Sequence, residues 1–235
     1  MYLAKVILNT GGTPADAGYP FNIRVLREAG HIDFKTPVTF FVGDNGTGKS
    51  TLLRAMTRKC GIFIWGERKD MSRNEERFLE ALSIEWTDGP VPGSLFSSEL
   101  FFNFSRIVDD DEAMRAFFGG KMFGAQSHGE GLISYFKSRY RIKGLYFLDE
   151  PETALSPRSQ MELLQVLQDM STAGHAQFVI ASHSPILLAC PGACLYDFDH
   201  IPVKPIEYEQ TDYFRVYRDF LTKRGRSVPL SNSRL

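Results

Sequence analysis

The sequence predicts an α/β fold built on a mainly parallel sheet, and three observations carry that expectation. Short apolar runs at residues 38–42, 145–148 and 178–181 read as strands buried on both faces. Stretches with apolar residues at helical spacing alternate with them. A glycine-rich turn joins the first of these strands to the first long helix, at the edge where parallel sheets bind ligands.

The elements follow in chain order. Residues 3–8, 21–26 and 38–42 are apolar and β-prone, and turns are expected at Gly11-Gly12-Thr13-Pro14 and Glu28-Ala29-Gly30. They predict a small antiparallel sheet feeding the strand that ends at Val42. A helix follows from Ser50, with Leu52, Leu53 and Met56 on one side. The middle, rich in phenylalanine and broken by Pro90, Pro92, Gly119 and Gly120, is read as a strand over 97–104 and a helix over 111–118. The acidic run Asp109-Asp110-Asp111-Glu112 suits the start of that helix better than a cation site. Leu132, Phe136 and Tyr140 mark a helix face. Pro157 opens a helix to about residue 171 with Met161, Leu164, Leu167 and Met170 inward, and residues 213–221 form a last helix. One domain over 1–235 is expected, with a core at about 38–60 and 144–200 and a helical subregion at about 61–143.

Composition narrows the function. The 235 residues carry 27 Lys plus Arg against 28 Asp plus Glu, a net charge of −1, so a protein that coats a polyanion is not expected. The basic clusters Arg139-Tyr140-Arg141-Ile142-Lys143 and Lys223-Arg224-Gly225-Arg226 read as solvated surface, which leaves DNA a possible partner without support from charge. No apolar stretch approaches the ~20 residues of a membrane-spanning helix, so direct membrane insertion is not expected. The opening Met1-Tyr2-Leu3-Ala4-Lys5-Val6 lacks the apolar run of a secretory leader. Three cysteines give no disulfide framework and point to a cytoplasmic setting. Cys190, Cys194 and His200 supply too few ligands for zinc and read as packing residues.

Gly43-Asp44-Asn45-Gly46-Thr47-Gly48-Lys49-Ser50, with Thr51 beyond, fits the phosphate-loop pattern in full. Its glycines let backbone N–H groups turn inward around phosphate oxygens, and the helix N-terminus adds positive potential. Lys49 is expected to reach the β- and γ-phosphates, and Ser50 to ligate Mg²⁺. Asp149 and Glu150 end a hydrophobic strand. Asp149 is placed to hold Mg²⁺, and Glu150 to polarise the attacking water. His183 follows a third strand, where an imidazole reaches the γ-phosphate.

The order and spacing of these motifs resemble the ATP-binding-cassette ATPases, especially their SMC- and RecF-like branch, over about residues 38–188. Gln126-Ser127-His128-Gly129-Glu130 is similar to that family's signature, Pro151-Glu152-Thr153-Ala154-Leu155-Ser156 to the turn after its acids, and His183 to its switch histidine. More narrowly the chain looks like short stand-alone AAA-type ATPases with Ser-His-Gly-Glu and Asp-Glu-Pro-Glu motifs. The resemblance implies a homodimer closing head to tail around two ATP molecules. In it, Ser127, His128, Gly129 and Glu130 of one subunit face the γ-phosphate held by Lys49 of the other. Ser127 also fits as a helix cap.

Departures from the family pattern are specific. No glutamine lies between Ser50 and Gln126, and Glu99 stands where the family's Mg²⁺-contacting glutamine is expected. Ser156 replaces an aspartate and His128 a glycine. The expected activity is Mg²⁺-dependent ATP hydrolysis driving a conformational switch. The alternatives are an ATP-gated platform for a protein partner and the ATP-hydrolysing subunit of a transporter. For adenine, Tyr19 and Phe21 are candidate stacking residues with Arg24 beside them, although aromatics in such a segment also serve as core.

Overall fold

The computed structural model describes residues 1–64 and 70–223. Its elements are β1 (Leu3–Leu8), α1 (Arg24–Glu28), β2 (His31–Asp33), β3 (Val38–Val42), α2 (Lys49–Lys59), α3 (Arg73–Ala81), β4 (Leu82–Trp86), β5 (Gly93–Ser97), α4 (Ser98–Asp110), α5 (Glu112–Phe117), α6 (His128–Arg139), β6 (Gly144–Asp149), α7 (Pro157–Thr172), β7 (Ala176–Ala181), α8 (Pro185–Leu188), β8 (Cys194–Asp197), β9 (Lys204–Ile206) and α9 (Asp212–Lys223).

The main sheet has the order β5-β6-β7-β3-β8-β9. Its pairs are parallel except for β8–β9. Strands β3, β6 and β7 are buried along their whole length, as their largely apolar sequences lead one to expect. Alternation then assigns faces. Phe41, Phe147 and Val179 pack with Leu52, Leu53 and Met56 of α2. Phe40, Tyr146, Phe178 and Ile180 pack with Leu132 and Phe136 of α6 and Leu163 and Leu167 of α7. The one side-chain amide in β7, Gln177, is hydrogen-bonded at both its oxygen and its nitrogen. Its Oε1 accepts from the Tyr2 and Leu3 amides at 2.7 and 2.9 Å, and its Nε2 donates to the Leu3 carbonyl at 2.9 Å. That bond set ties the small antiparallel sheet, β2-β1-β4, to the main one.

Register decides where the chemistry lies. Ala181 is level with Phe41 on one side and Asp149 on the other, and Asp149 is level with Ser97 of β5. The glycine-rich turn, the acid pair, the His183 loop and the start of α4 therefore leave the sheet at one edge.

Four expectations are corrected. Residues 21–26 are not a strand: Phe21 is buried in the turn before α1, and Val25 and Leu26 form the inner face of α1, which the Arg24–Glu28 pair at 3.1 Å also supports. The small antiparallel sheet leads into β3 through β2, but it pairs β1 with β2 and with β4 from the middle of the chain rather than with residues 21–26. Residues 97–104 hold the end of β5 and the start of α4, which Ser97 caps by accepting from the Leu100 amide at 3.4 Å. In α7 the inner face is Leu163, Val166 and Leu167, while Met161 is 63 % exposed.

In the first basic cluster Arg141, Ile142 and Lys143 are exposed, while its other residues take part in packing. Arg139 donates to the Gly93 carbonyl at 2.9 Å and lies over the Tyr146 ring, Lys143 lies over Tyr2, and Tyr140 is buried. Of the second cluster, residues 224–226 lie outside the described residues. In the acidic run, Asp109 accepts from the amides of Phe123 and Gly124 at 2.6 and 2.8 Å, and Asp111 caps α5. Cys190 is buried with the α7 side of the core, Cys194 opens β8, and His200 pairs with Asp197 at 2.5 Å.

Candidate functional site

The turn over residues 43–48 connects β3 to α2 and is held by its own side chains. Lys49, 4 % exposed, donates through Nζ to the carbonyls of Gly43 and Asp44 at 2.6 and 2.8 Å. Thr47 Oγ1 donates to the Asp44 carbonyl at 2.9 Å, and the Asp44 amide donates to Asp199 Oδ1 at 2.8 Å. Gly48 has φ 100°, and a Cβ there would lie 2.9 Å from Ile23 Cγ2, so only glycine fits beneath α1. Burial lowers the Lys49 pKa, while the carboxylates of Glu150, Asp199, Asp149 and Asp44 hold it up.

The acid pair closes the other side. Ser50 Oγ donates to Asp149 Oδ1 at 2.6 Å, and Arg54 Nε stands 3.9 Å from Oδ2. Burial raises the Asp149 pKa; the Ser50 bond, Arg54 and Lys49 oppose that shift, and Glu150 adds to it. Glu150 has φ 47° and ψ 56°, the one positive-φ residue other than glycine among those described. Strain of this kind gathers at working sites. Here it turns the Glu150 carboxylate out to His183, whose Nε2 lies 3.2 Å from Glu150 Oε1. Glu152 Oε1 accepts from the His183 amide at 2.5 Å and from Ser182 Oγ at 2.9 Å, tying the two loops together. Burial raises the Glu152 pKa against those bonds.

Two adjoining spaces of about 210 and 460 Å³ lie here. Asn45, Gly46, Gly48 and Lys49 line the first, and Asp149, Glu99 and Arg54 the second. Tyr19, Ser50, Thr51 and Glu150 are common to both. Lys49, Ser50, Asp149, Glu150 and Glu99, expected from sequence, thus border one crevice, with His183 bonded to its edge. Phe21 does not reach it. It is 2 % exposed and packs edge-on against Phe78, so it belongs to the core, and Arg24 is engaged by Glu28. Tyr19 remains at the crevice, 50 % exposed, with its hydroxyl 3.1 Å from Thr51 Oγ1. Ser127, His128, Gly129 and Glu130 lie apart from this crevice, at the N-terminus of α6. There Ser127 and Glu130 form a reciprocal cap, with Ser127 Oγ donating to Glu130 Oε2 at 2.6 Å. A separate apolar cavity of about 540 Å³ against β5 and α4 is lined by Phe101, Phe104 and Tyr135 and holds none of these groups.

Comparison with known proteins bears on the same segments. Residues 21–118 match an AAA domain family, and residues 132–189 match a second, described as "AAA domain, putative AbiEii toxin, Type IV TA system". A solved structure described as "An inward-facing conformation of a putative metal-chelate type ABC transporter" superposes with a TM-score of 0.52 at 17% identity, over 92% of this chain and 88% of that one. This is the fold of an ABC-type P-loop ATPase. The SMC head domain from Thermotoga maritima is also similar, with a TM-score of 0.49 at 16% identity over 88% of this chain and 100% of that one. Among curated proteins there is no match.

Within this ATPase fold, the residues at the crevice fit Mg²⁺. A hydroxyl and a buried carboxylate form a small all-oxygen set, the donor chemistry that Mg²⁺ takes together with phosphate and water. Ser50 and Asp149 would hold the ion, with Glu99 facing the same space. Four residues of the site carry no sequence signal that could have found them. Asp199 and Tyr213, whose hydroxyl lies 3.1 Å from the Gly43 carbonyl, belong to no motif, Arg54 is one arginine on α2, and Glu152 sits within a turn read only for its resemblance.

Proposed function

We propose that this chain binds ATP with Mg²⁺ and hydrolyses it to ADP and phosphate, using the binding energy to change its association with a second copy. The observation that supports this most is the convergence of Lys49, Ser50, Asp149, Glu150 and His183 from three strand ends on one crevice. Lys49, held by carbonyl oxygens of its own loop, is placed to exchange them for β- and γ-phosphate oxygens, and a phosphate favours its charged form. Backbone N–H groups of the loop and the N-terminus of α2 bind the remaining oxygens. A bound Mg²⁺ supplies neutralisation of the charge that develops on the phosphates. Glu150 accepts a proton from the attacking water, and an oriented base of this kind contributes roughly 10²–10⁴ in rate. His183 senses the γ-phosphate from the same edge. Tyr19 is the adenine-stacking candidate.

In the dimer we infer, Ser127 and the Gly129 amide of one copy meet the γ-phosphate on the other. A helix N-terminus is a good anion ligand, and the Ser127 hydroxyl would leave Glu130 to take part. That same bond favours a second reading, an ATP-gated platform with negligible turnover, because the free subunit holds Ser127 in its own cap.

Phosphate release at steady state tests the proposal. The expected result is Mg²⁺-dependent turnover that Glu150→Gln abolishes while ATP binding survives. Turnover at background supports the platform reading, and a Glu150→Gln protein that hydrolyses at the parent rate refutes the assigned base.

A further inference from the structure

His183 is held from both sides. Its Nε2 faces Glu150 Oε1 at 3.2 Å, while its Nδ1 faces the hydroxyl of Tyr213, in α9, at 2.5 Å. The same hydroxyl lies 3.1 Å from the carbonyl of Gly43, the first residue of the phosphate loop. The Tyr213 ring also meets the imidazole edge-on, with centroids 5.4 Å apart. Three parts of the crevice that leave the sheet separately are thus joined through one phenol.

Proton counting limits what this arrangement can be. A phenol has one proton to donate. If Tyr213 donates to His183 Nδ1, the neutral ring must carry its own proton on Nε2, directed at Glu150. If Tyr213 donates to Gly43, Nδ1 must donate to the phenol oxygen. A neutral ring in that arrangement carries its proton on Nδ1 and leaves Nε2 as an acceptor. The direction in which the Tyr213 hydroxyl donates therefore sets which ring nitrogen of a neutral His183 carries the proton beside the proposed base.

We propose that Tyr213 is a positioning residue whose hydroxyl fixes the orientation and proton placement of His183 against Glu150 and ties both to the phosphate loop at Gly43. Burial, with the carboxylates of Asp44, Asp199, Glu152 and Asp212, raises the Tyr213 pKa, so the phenol keeps its proton at neutral pH. The placement of α9 serves this role. Tyr208 donates to the Pro185 carbonyl at 2.9 Å and packs on Phe214, which docks the first turn of α9 beside the His183 loop. Further along, Val216, Tyr217, Phe220 and Leu221 are exposed, so the contact of α9 with the crevice is made at Tyr213.

The catalytic side of this proposal rests on the ATPase reading; the hydrogen bond does not. The test is Tyr213→Phe, which keeps the ring and removes only the hydroxyl, in the parent and in a His183→Ala background. For the parent background, kcat should fall about threefold to tenfold with KM within about twofold, the scale of one lost oriented hydrogen bond. In the His183→Ala background the same change should cost less than about twofold, since nothing is left to position. Equal losses in both backgrounds, or an unchanged kcat, would overturn the proposal. Nitrogen-15 spectra of histidine-labelled protein supply the second readout. There the His183 Nδ1 resonance should move in Tyr213→Phe at unchanged melting temperature. If the parent has no turnover, the ATPase reading fails by itself; an unmoved Nδ1 resonance then overturns the role of Tyr213, and a moved one sustains it.

Discussion

Ser50 and Asp149 lie 99 residues apart in the chain and share a hydrogen bond of 2.6 Å. The bond is a direct product of strand register: β3, β7 and β6 are level at Phe41, Ala181 and Asp149, so the residue after the phosphate-loop lysine meets the last residue of β6. The contact is also where the metal dependence of the protein should appear.

Burial raises the pKa of Asp149, so without a cation its charged form is less favourable in the folded protein than in the unfolded chain. A raised folded pKa gives stability that is present below the ordinary value of 3.8 and is lost as pH rises through the folded value. A bound cation reverses that sign. The increase in melting temperature on adding Mg²⁺ and ATP should therefore be larger at neutral pH than near pH 4.5, and Asp149→Asn should remove most of the difference. A pH-independent increase in the parent would contradict the assignment.

Gly48→Ala places a Cβ 2.9 Å from Ile23 Cγ2 at φ 100°. The combined strain and overpacking should cost roughly 2–4 kcal/mol in chemical denaturation. A loss under about 0.5 kcal/mol would mean that α1 does not pack on the loop as described.

Glu150 holds a left-handed conformation that costs a non-glycine residue roughly 1–3 kcal/mol. Glu150→Gly relieves it and gives back part of the gain as chain entropy, so the melting temperature should be equal to or above the parent's. Phosphate release should be lost at the same time. A variant that melts several degrees lower would show that the carboxylate, not the backbone, is what the fold needs at this position.

Ser127 caps α6, and the in-trans role we propose for it is separable from the cap. Glycine is a tolerable N-cap, so Ser127→Gly should cost only a few tenths of a kcal/mol. ATP-dependent association of the Glu150→Gln protein, read by size-exclusion chromatography, should nevertheless be lost in the double variant. Undiminished association would leave Ser127 as a cap alone.

Burial raises the thiol of Cys60 to about 12 and that of Cys190 to about 11, against an ordinary value of 9.0. Above pH 9 the unfolded chain releases these protons before the folded one, so stability should fall from about pH 9 to about 11 for Cys190 and on to about 12 for Cys60. Melting curves over that range check it, and Cys60→Ala should flatten part of the slope.

Much of the crevice was legible from residues alone. A phosphate loop between an apolar strand and a helix is a local pattern, and so is an acid pair closing an apolar run. Topology needs only register to join them. The middle of the chain was harder to read for a physical reason. Phe96, Phe101, Phe102 and Phe104 stand at spacings of five, one and two, a pattern that matches neither strand nor helix periodicity, and the Ser97 cap that divides the two elements leaves one serine as its signal. Phe21 illustrates the converse, since an aromatic near the loop looks the same in sequence whether it lines the crevice or packs on Phe78. Asp199 and Tyr213 were invisible because their contacts with residues 43–44 span 155 and 170 positions and follow no motif.

Calorimetric titration of Mg-ATP into the parent protein and into Lys49→Ala bears most directly on the claim that three distant segments grip one metal-bound triphosphate. The parent should give saturable heat, much weaker without Mg²⁺, and Lys49→Ala none at unchanged fold. Equal affinity in the two proteins, or no binding by the parent, would contradict it.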